Sequence, residues 1–151
     1  MEVGWYNSPI GWLKISGNQS SIYQIEYAIN KGLTIGNSPE IEKLKVQLNE
    51  FFNGTRQTFE INLNFNGSDF QNRVWQVLQQ IPYGSTACYG EIAQKIGNPQ
   101  ASRAVGSANR SNPLPIVVPC HRVIGISGEL VGYAGGLDKK KWLLEYEKKS
   151  N

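Results

Sequence analysis

The spacing of apolar residues changes near Asn66-Gly67-Ser68, and no other feature constrains the fold as much. Before that point, segments 3–7, 12–16 and 22–27 are rich in aromatic and β-branched residues. They are separated by Ser8-Pro9-Ile10-Gly11 and Gly17-Asn18-Gln19-Ser20, as in a meander of strands. Residues 58–63 predict a further strand, with Phe59, Ile61 and Leu63 alternating along it. Between them Ser38 and Pro39 open a helix that repeats Ile41, Leu44, Leu48 and Phe51 on one face and stops at Gly54. That face is core, and with no catalytic constellation in this half, residues 1–66 read as an N-terminal α/β scaffold domain.

Beyond the junction, residues 67–151 form a mostly helical C-terminal domain. Phe70, Val74, Val77, Leu78 and Ile81 recur at helical spacing before the turn Pro82-Tyr83-Gly84, and Trp75 is assigned to the core rather than to a surface anchor. Residues 89–96 and 101–109 predict two short helices around Gly97-Asn98-Pro99. This is the outline of a helix-turn-helix, which helical hairpins that bind no nucleic acid share. The second helix is built from Ala101, Ser102, Ala104, Gly106, Ser107, Ala108 and Asn109. Such small residues suit either tight packing on a neighbouring helix or close approach to phosphates, with Arg103 and Arg110 supplying positive charge. Arg103 is the long side chain placed to enter a base stack.

A chain of 151 residues suits one domain, or a main domain with a small companion. Its net charge of +3, with 18% of residues charged, permits a polyanionic partner without requiring one. Two cysteines and one histidine are too few for a disulfide framework or a Cys-His metal centre, so neither metal nor cofactor is expected. The N-terminus has no charged segment leading into an apolar one, and no apolar run approaches the roughly 18 residues of a membrane span. A cytoplasmic protein without membrane contact is the expectation.

The tetrad Pro119-Cys120-His121-Arg122 follows the apolar run Ile116-Val117-Val118 and holds the only histidine beside a cysteine. A thiolate is the reactive form of cysteine, and an imidazole nearby could draw the thiol toward it. A buried structural cysteine beside a solvated histidine fits the tetrad equally well. Successive side chains on an extended strand point to opposite faces, so a direct Cys120–His121 contact needs a sharp turn or a bridging water.

Six separated blocks decide more than the tetrad does. Ile81-Pro82-Tyr83-Gly84, Tyr89-Gly90-Glu91-Ile92-Ala93, Arg103-Ala104-Val105-Gly106, Asn112-Pro113, Pro119-Cys120-His121-Arg122-Val123-Ile124 and Tyr133-Ala134-Gly135-Gly136-Leu137 occur in one order. In order and spacing they resemble the O6-alkylguanine-DNA alkyltransferases, with similarity running from about residue 70 to residue 147. The resemblance implies an α+β protein, in which a small ribonuclease H-like mixed-sheet domain precedes a winged helix-turn-helix domain. It implies DNA repair by single-turnover, irreversible transfer of an alkyl group from O6-alkylguanine in double-stranded DNA to the protein's own cysteine, by a monomer without cofactor.

By the same resemblance Cys120 is the nucleophile, His121 deprotonates it through a water, and Glu147 orients the imidazole. Tyr89 donates a proton to the leaving guanine, while Asn112 ties the turn after the second helix to the cysteine segment. Val123, Tyr133 and Ala134 contact the substrate base. Arg103 fills the stack vacated by the flipped base, and Ala104, Gly106, Ser107, Arg110 and Arg122 contact DNA. Leu130 and Val131 are assigned to the pocket wall, and Cys88, where the family commonly has serine, to a small buried position on the first helix. Two other classes share some of these residues: a non-catalytic winged-helix DNA-binding protein, and a cysteine hydrolase using Cys120, His121 and Glu147. Neither would acquire a lasting alkyl adduct.

Overall fold

The computed structural model describes residues 1–150, which divide into two compact units, Met1–Asn66 and the chain from Gly67 onward. In the first unit, β1 (Glu2–Ser8), β2 (Gly11–Gly17) and β3 (Ile22–Ala28) form an antiparallel meander in the order β1-β2-β3. α1 (Pro39–Phe52) packs on β1 and β2 and is capped by Ser38, whose hydroxyl accepts the Ile41 N–H at 3.2 Å. Its face Ile41, Leu44, Leu48 and Phe51 is buried with Val3, Leu13, Ile15 and Ile25 of the sheet. β1 comes so close that a Cβ at Gly4 would lie 2.5 Å from Ile41 Cγ2, which reserves the position for glycine.

The strand expected over 58–63 does not form as a regular element, and its pairing is reduced to one parallel bridge between Ile22 and Leu63. Side chains of α1 take the backbone groups that a neighbouring strand would have used. Gln47 accepts the Glu60 N–H at 2.9 Å and donates to its carbonyl at 3.2 Å, and the Glu40 carboxylate accepts the Asn62 N–H at 2.7 Å. The expected alternation survives, since Phe59, Ile61 and Leu63 are half-buried and the residues between them exposed.

In the second unit α2 (Asp69–Leu78) opens on a capping box in which Ser68 and Gln71 satisfy each other's backbone N–H groups. Trp75 is core: it is 3% exposed, and its indole N–H donates to the Ala108 carbonyl at 2.8 Å. α3 (Tyr89–Lys95) and α4 (Ser102–Arg110) pack against each other across Gly97, whose φ of 79° makes the turn between them. β4 (Ala87–Cys88) pairs in parallel with β5 (Val123–Ile124), and α5 (Leu137–Ser150) packs on the turn that carries Cys120. Cys88 does not lie on the first helix of the pair, as expected from sequence. It is the half-buried residue capping α3, with its N–H donating to Glu91 at 2.9 Å. No described helix is long and apolar enough to cross a membrane.

Candidate active site

The segment leading into Cys120 is held in a strained loop by a single buried amide. Asn112 Oδ1 accepts the Leu114 N–H at 3.0 Å and its Nδ2 donates to the Val118 carbonyl at 2.9 Å, clasping both ends of 114–118. Within the clasp the buried Ile116 adopts φ 75°, a left-handed conformation unfavourable for a β-branched residue. Asn112→Ala orphans the buried Leu114 N–H and leaves the Val118 carbonyl only the Cys120 N–H, and is expected to destabilise the protein by about 2 kcal/mol, read as a lower urea midpoint at constant slope.

Cys120–Arg122 then make one turn of 3-10 helix, with the Cys120 N–H donating to Val118 at 2.7 Å and the Arg122 N–H to Pro119 at 3.0 Å. The chain is therefore not extended here. Its three side chains are all buried, and those of His121 and Arg122 converge on Glu147.

Behind the turn, α5 presents Lys140, Leu143 and Glu147, three and seven residues apart, as one buried face. Glu147, 1% exposed, accepts from His121 Nε2 at 2.7 Å. It also accepts from Arg122 Nε and Nη2, each at 2.8 Å, and from the Gly84 N–H at 3.5 Å. Burial alone would raise its carboxyl pKa, but the hydrogen bonds from His121 and Arg122 outweigh burial and leave it at about 2. Burial lowers the His121 pKa against the pull of Glu147, so the ring is neutral at pH 7. With Nε2–H donated to the carboxylate, the proton of the neutral ring is assigned to Nε2. Nδ1, which has no partner among the described residues, keeps its lone pair.

Arg122, expected on the DNA, is committed elsewhere. It is 6% exposed, its guanidinium is bound to Glu147 and to the Ile81 carbonyl at 2.8 Å, and it lies 5.6 Å from the centre of the Tyr83 ring. With three of its five N–H groups bonded and the guanidinium withdrawn from solvent, its place is inside the Glu147 network.

Cys120 is 4% exposed, and burial pushes its thiol up to about 11 against the lowering influences of Asn112 and Lys140. Two contributors were not read from the sequence. Asn109 is buried and its Nδ2 donates to the Cys120 carbonyl at 3.3 Å. Its position four residues after Val105, on the buried side of α4, is the signal that could have found it. Lys140, 0% exposed, donates from Nζ to the Val131 carbonyl at 2.9 Å and to Gly132 at 3.5 Å. Within Asp138-Lys139-Lys140-Lys141 it reads as a solvated charge run, and its spacing to Leu143 and Glu147 was the available clue.

A cavity of about 320 Å³ opens between α3, α4 and the 131–132 loop, lined by Tyr89, Ser102, Arg103, Gly106, Arg110, Val131 and Gly132. The Tyr89 hydroxyl donates to the Val131 carbonyl at 3.1 Å. Its pKa is raised chiefly by burial, with Arg110 opposing, so the phenol stays protonated at neutral pH. Arg103, Ala104, Ser107 and Arg110 lie on the exposed side of α4, and Gly106 faces the Tyr89 ring. Val123 is buried in β5 opposite Ala87, while the half-buried Tyr133 and the exposed Ala134 follow the cavity loop without lining the cavity. Of the two residues assigned to the pocket wall, Val131 lines this cavity, whereas Leu130 lies beside Glu147 and Gly84 in a separate one. Among the described residues no cluster of metal-ligating side chains is present.

Residues 69–149 match the DNA-binding domain of 6-O-methylguanine DNA methyltransferases, and residues 1–65 match their ribonuclease-like domain. The methylated-DNA--protein-cysteine methyltransferase of Mycolicibacterium paratuberculosis is 47% identical over 99% of this chain and 93% of its own length. That of Methanosarcina acetivorans is 43% identical over 94% of this chain and 95% of its own. The crystal structure of Mycobacterium tuberculosis OGT in complex with DNA superposes with a TM-score of 0.89 at 45% identity, covering 97% of this chain and 92% of that one. With both halves matched in order and relatives of this identity along nearly the whole length, the chain belongs to the 6-O-methylguanine DNA methyltransferase family.

Proposed function

We propose that this protein, acting as a monomer in the cytoplasm, repairs O6-alkylguanine in double-stranded DNA by moving the alkyl group onto Cys120. The Glu147–His121 hydrogen bond beside the Cys120 turn carries this reading, because it fixes the tautomer that leaves Nδ1 as a base. His121 takes the thiol proton through a bridging water, and the imidazolium that forms is stabilised by Glu147. The thiolate sulfur attacks the alkyl carbon in line. An S–C bond forms as the C–O6 bond breaks, and the electron pair passes into the purine. Tyr89 supplies a proton to the departing guanine, the role that a protonated phenol at the cavity wall suits.

A base in a duplex cannot reach a thiol that is 4% exposed, so the nucleotide is flipped into the cavity at a cost of a few kcal/mol. Arg103 fills the vacated stack. Ala104, Gly106, Ser107 and Arg110 lie along the DNA backbone, and Val123, Tyr133 and Ala134 flank the base. The Mycobacterium tuberculosis relative crystallised in complex with DNA supports DNA as the partner. Both cysteines are free, which suits a reducing compartment.

The thioether offers water no acyl or phosphoryl centre, so each molecule reacts once. Mixed with excess duplex containing O6-methylguanine, the protein should gain the mass of one CH2 group, located at Cys120, and repair one lesion per molecule. Repair of more lesions than protein molecules, or no adduct at Cys120, would overturn the proposal. Added carbon in the packed turn costs about 1–3 kcal/mol, so the methylated protein should melt at a lower temperature than the unreacted one.

A further inference from the structure

Lys140 is 0% exposed on the buried face of α5, and the proton relay makes no use of it. A lysine is almost never fully buried unless paired, yet none of the described ion pairs includes it. Burial lowers its pKa below the ordinary 10.5, and as the fourth residue of α5 it lies at the positive end of the helix dipole. Neither setting favours a cation. What its Nζ meets is the cavity loop, where it donates to the Val131 carbonyl at 2.9 Å and to the Gly132 carbonyl at 3.5 Å.

That loop has few other holds. The stretch 125–136 between β5 and α5 contains no regular element, and among the described residues the carbonyls of Val131 and Gly132 accept no backbone N–H. The second side chain bonded there is Tyr89, whose hydroxyl donates to the same Val131 carbonyl at 3.1 Å. A carbonyl has two lone pairs, and those of Val131 are taken by one donor from α3 and one from α5. Tyr89, Val131 and Gly132 all line the cavity of about 320 Å³.

A phenol has one hydrogen to donate. In the function proposed for Tyr89 that hydrogen goes to the departing guanine, so the hydroxyl must first let go of Val131. We infer that Lys140 is a positioning residue for this step: by holding the Val131 and Gly132 carbonyls from α5, it keeps the cavity wall in place when the Tyr89 hydroxyl leaves it for the base. Without Lys140 the tyrosine is the remaining side-chain tie of the loop, and the Val131 carbonyl competes with guanine for the one phenolic hydrogen. The wall has little room to shift. Gly132 has φ 51°, and a Cβ there would lie 2.8 Å from Arg110 Cδ, so the loop is packed against the stem of a residue on α4.

The inference rests on the role proposed for Tyr89, and a double-mutant cycle tells the two apart. Transfer from duplex O6-methylguanine is timed in single turnover at saturating DNA for the parent, Lys140→Met, Tyr89→Phe and the double variant. Introducing Lys140→Met should slow transfer by about tenfold in the parent, but by less than about threefold in the Tyr89→Phe background, where no hydroxyl is shared. A lysine that only supports the fold would lower the melting temperature and slow both backgrounds alike.

Equal slowing in the two backgrounds, or none in the parent, would overturn the inference and leave Tyr89 its role. A Tyr89→Phe protein that transfers at the parent rate would remove the role of the phenol, and the inference with it. If Lys140→Met does not fold, 15N relaxation of the Val131 and Gly132 amides in Tyr89→Phe decides the matter. With Lys140 holding the loop, both amides should stay as ordered as in the parent. Greater mobility would mean that the tyrosine holds the wall, which contradicts the inference.

Discussion

Glu147→Gln is expected to lower the unfolding free energy by about 3–5 kcal/mol and to slow alkyl transfer by about 10²-fold. The stability loss arises from Arg122, which is 6% exposed and would lose its counter-ion, keeping the Ile81 carbonyl and at most one amide oxygen in place of its two contacts to the carboxylate. A neutral amide cannot replace that charge, and a buried guanidinium without a counter-ion carries its full desolvation penalty. The rate loss has a separate origin in His121, whose Nε2–H would no longer be fixed by an anion and whose protonated form would no longer be stabilised. Adding Arg122→Met to Glu147→Gln should restore part of the stability and none of the rate. Urea denaturation and single-turnover kinetics on the two variants check both halves, and a stability change below about 1 kcal/mol would mean the network is not the buried ion pair described.

The same carboxylate sets the acid limit. Its folded pKa of about 2 lies below the ordinary 4.5, so its contribution is complete above 4.5 and disappears as pH falls toward 2. His121, whose pKa burial holds below the usual 6.5, acts in the same direction, with stability declining as pH drops through that range. Glu147→Gln should flatten the acid limb between the ordinary carboxylate value and the folded one.

Much of this arrangement can be read from residue order, and the exceptions share a physical cause. The α1 face, the meander and the two short helices follow from periodicity and from Ser38, Ser68 and Gly97, which are local signals. Residues 58–63 misled because alternation reports burial on one side and says nothing about which group satisfies the backbone. Here Gln47 and Glu40 do so, from a helix that begins about twenty residues earlier. Arg122 beside a candidate DNA site reads as a phosphate contact until Glu147, far along the chain, is seen to occupy its guanidinium. Lys140 in a lysine run looks solvated, and only the packing of α5 on the Cys120 turn buries it. The left-handed Ile116 is invisible in sequence because Ile116-Val117-Val118 reads as an ordinary apolar run. The conformation is imposed by the Asn112 clasp on either side.

Cys120→Ala should abolish repair completely while leaving recognition in place. The substitution removes one buried sulfur and spares the Asn112 clasp, the Glu147 network, the cavity of about 320 Å³ and the exposed side of α4, so the variant should still bind duplex carrying the lesion. The most direct measurement is therefore to incubate Cys120→Ala and the parent protein with equal amounts of duplex O6-methylguanine and count the methyl groups left on the DNA. The parent should remove one per molecule and the variant none, whereas removal by the variant at the parent's level would contradict the assignment of Cys120 as the acceptor.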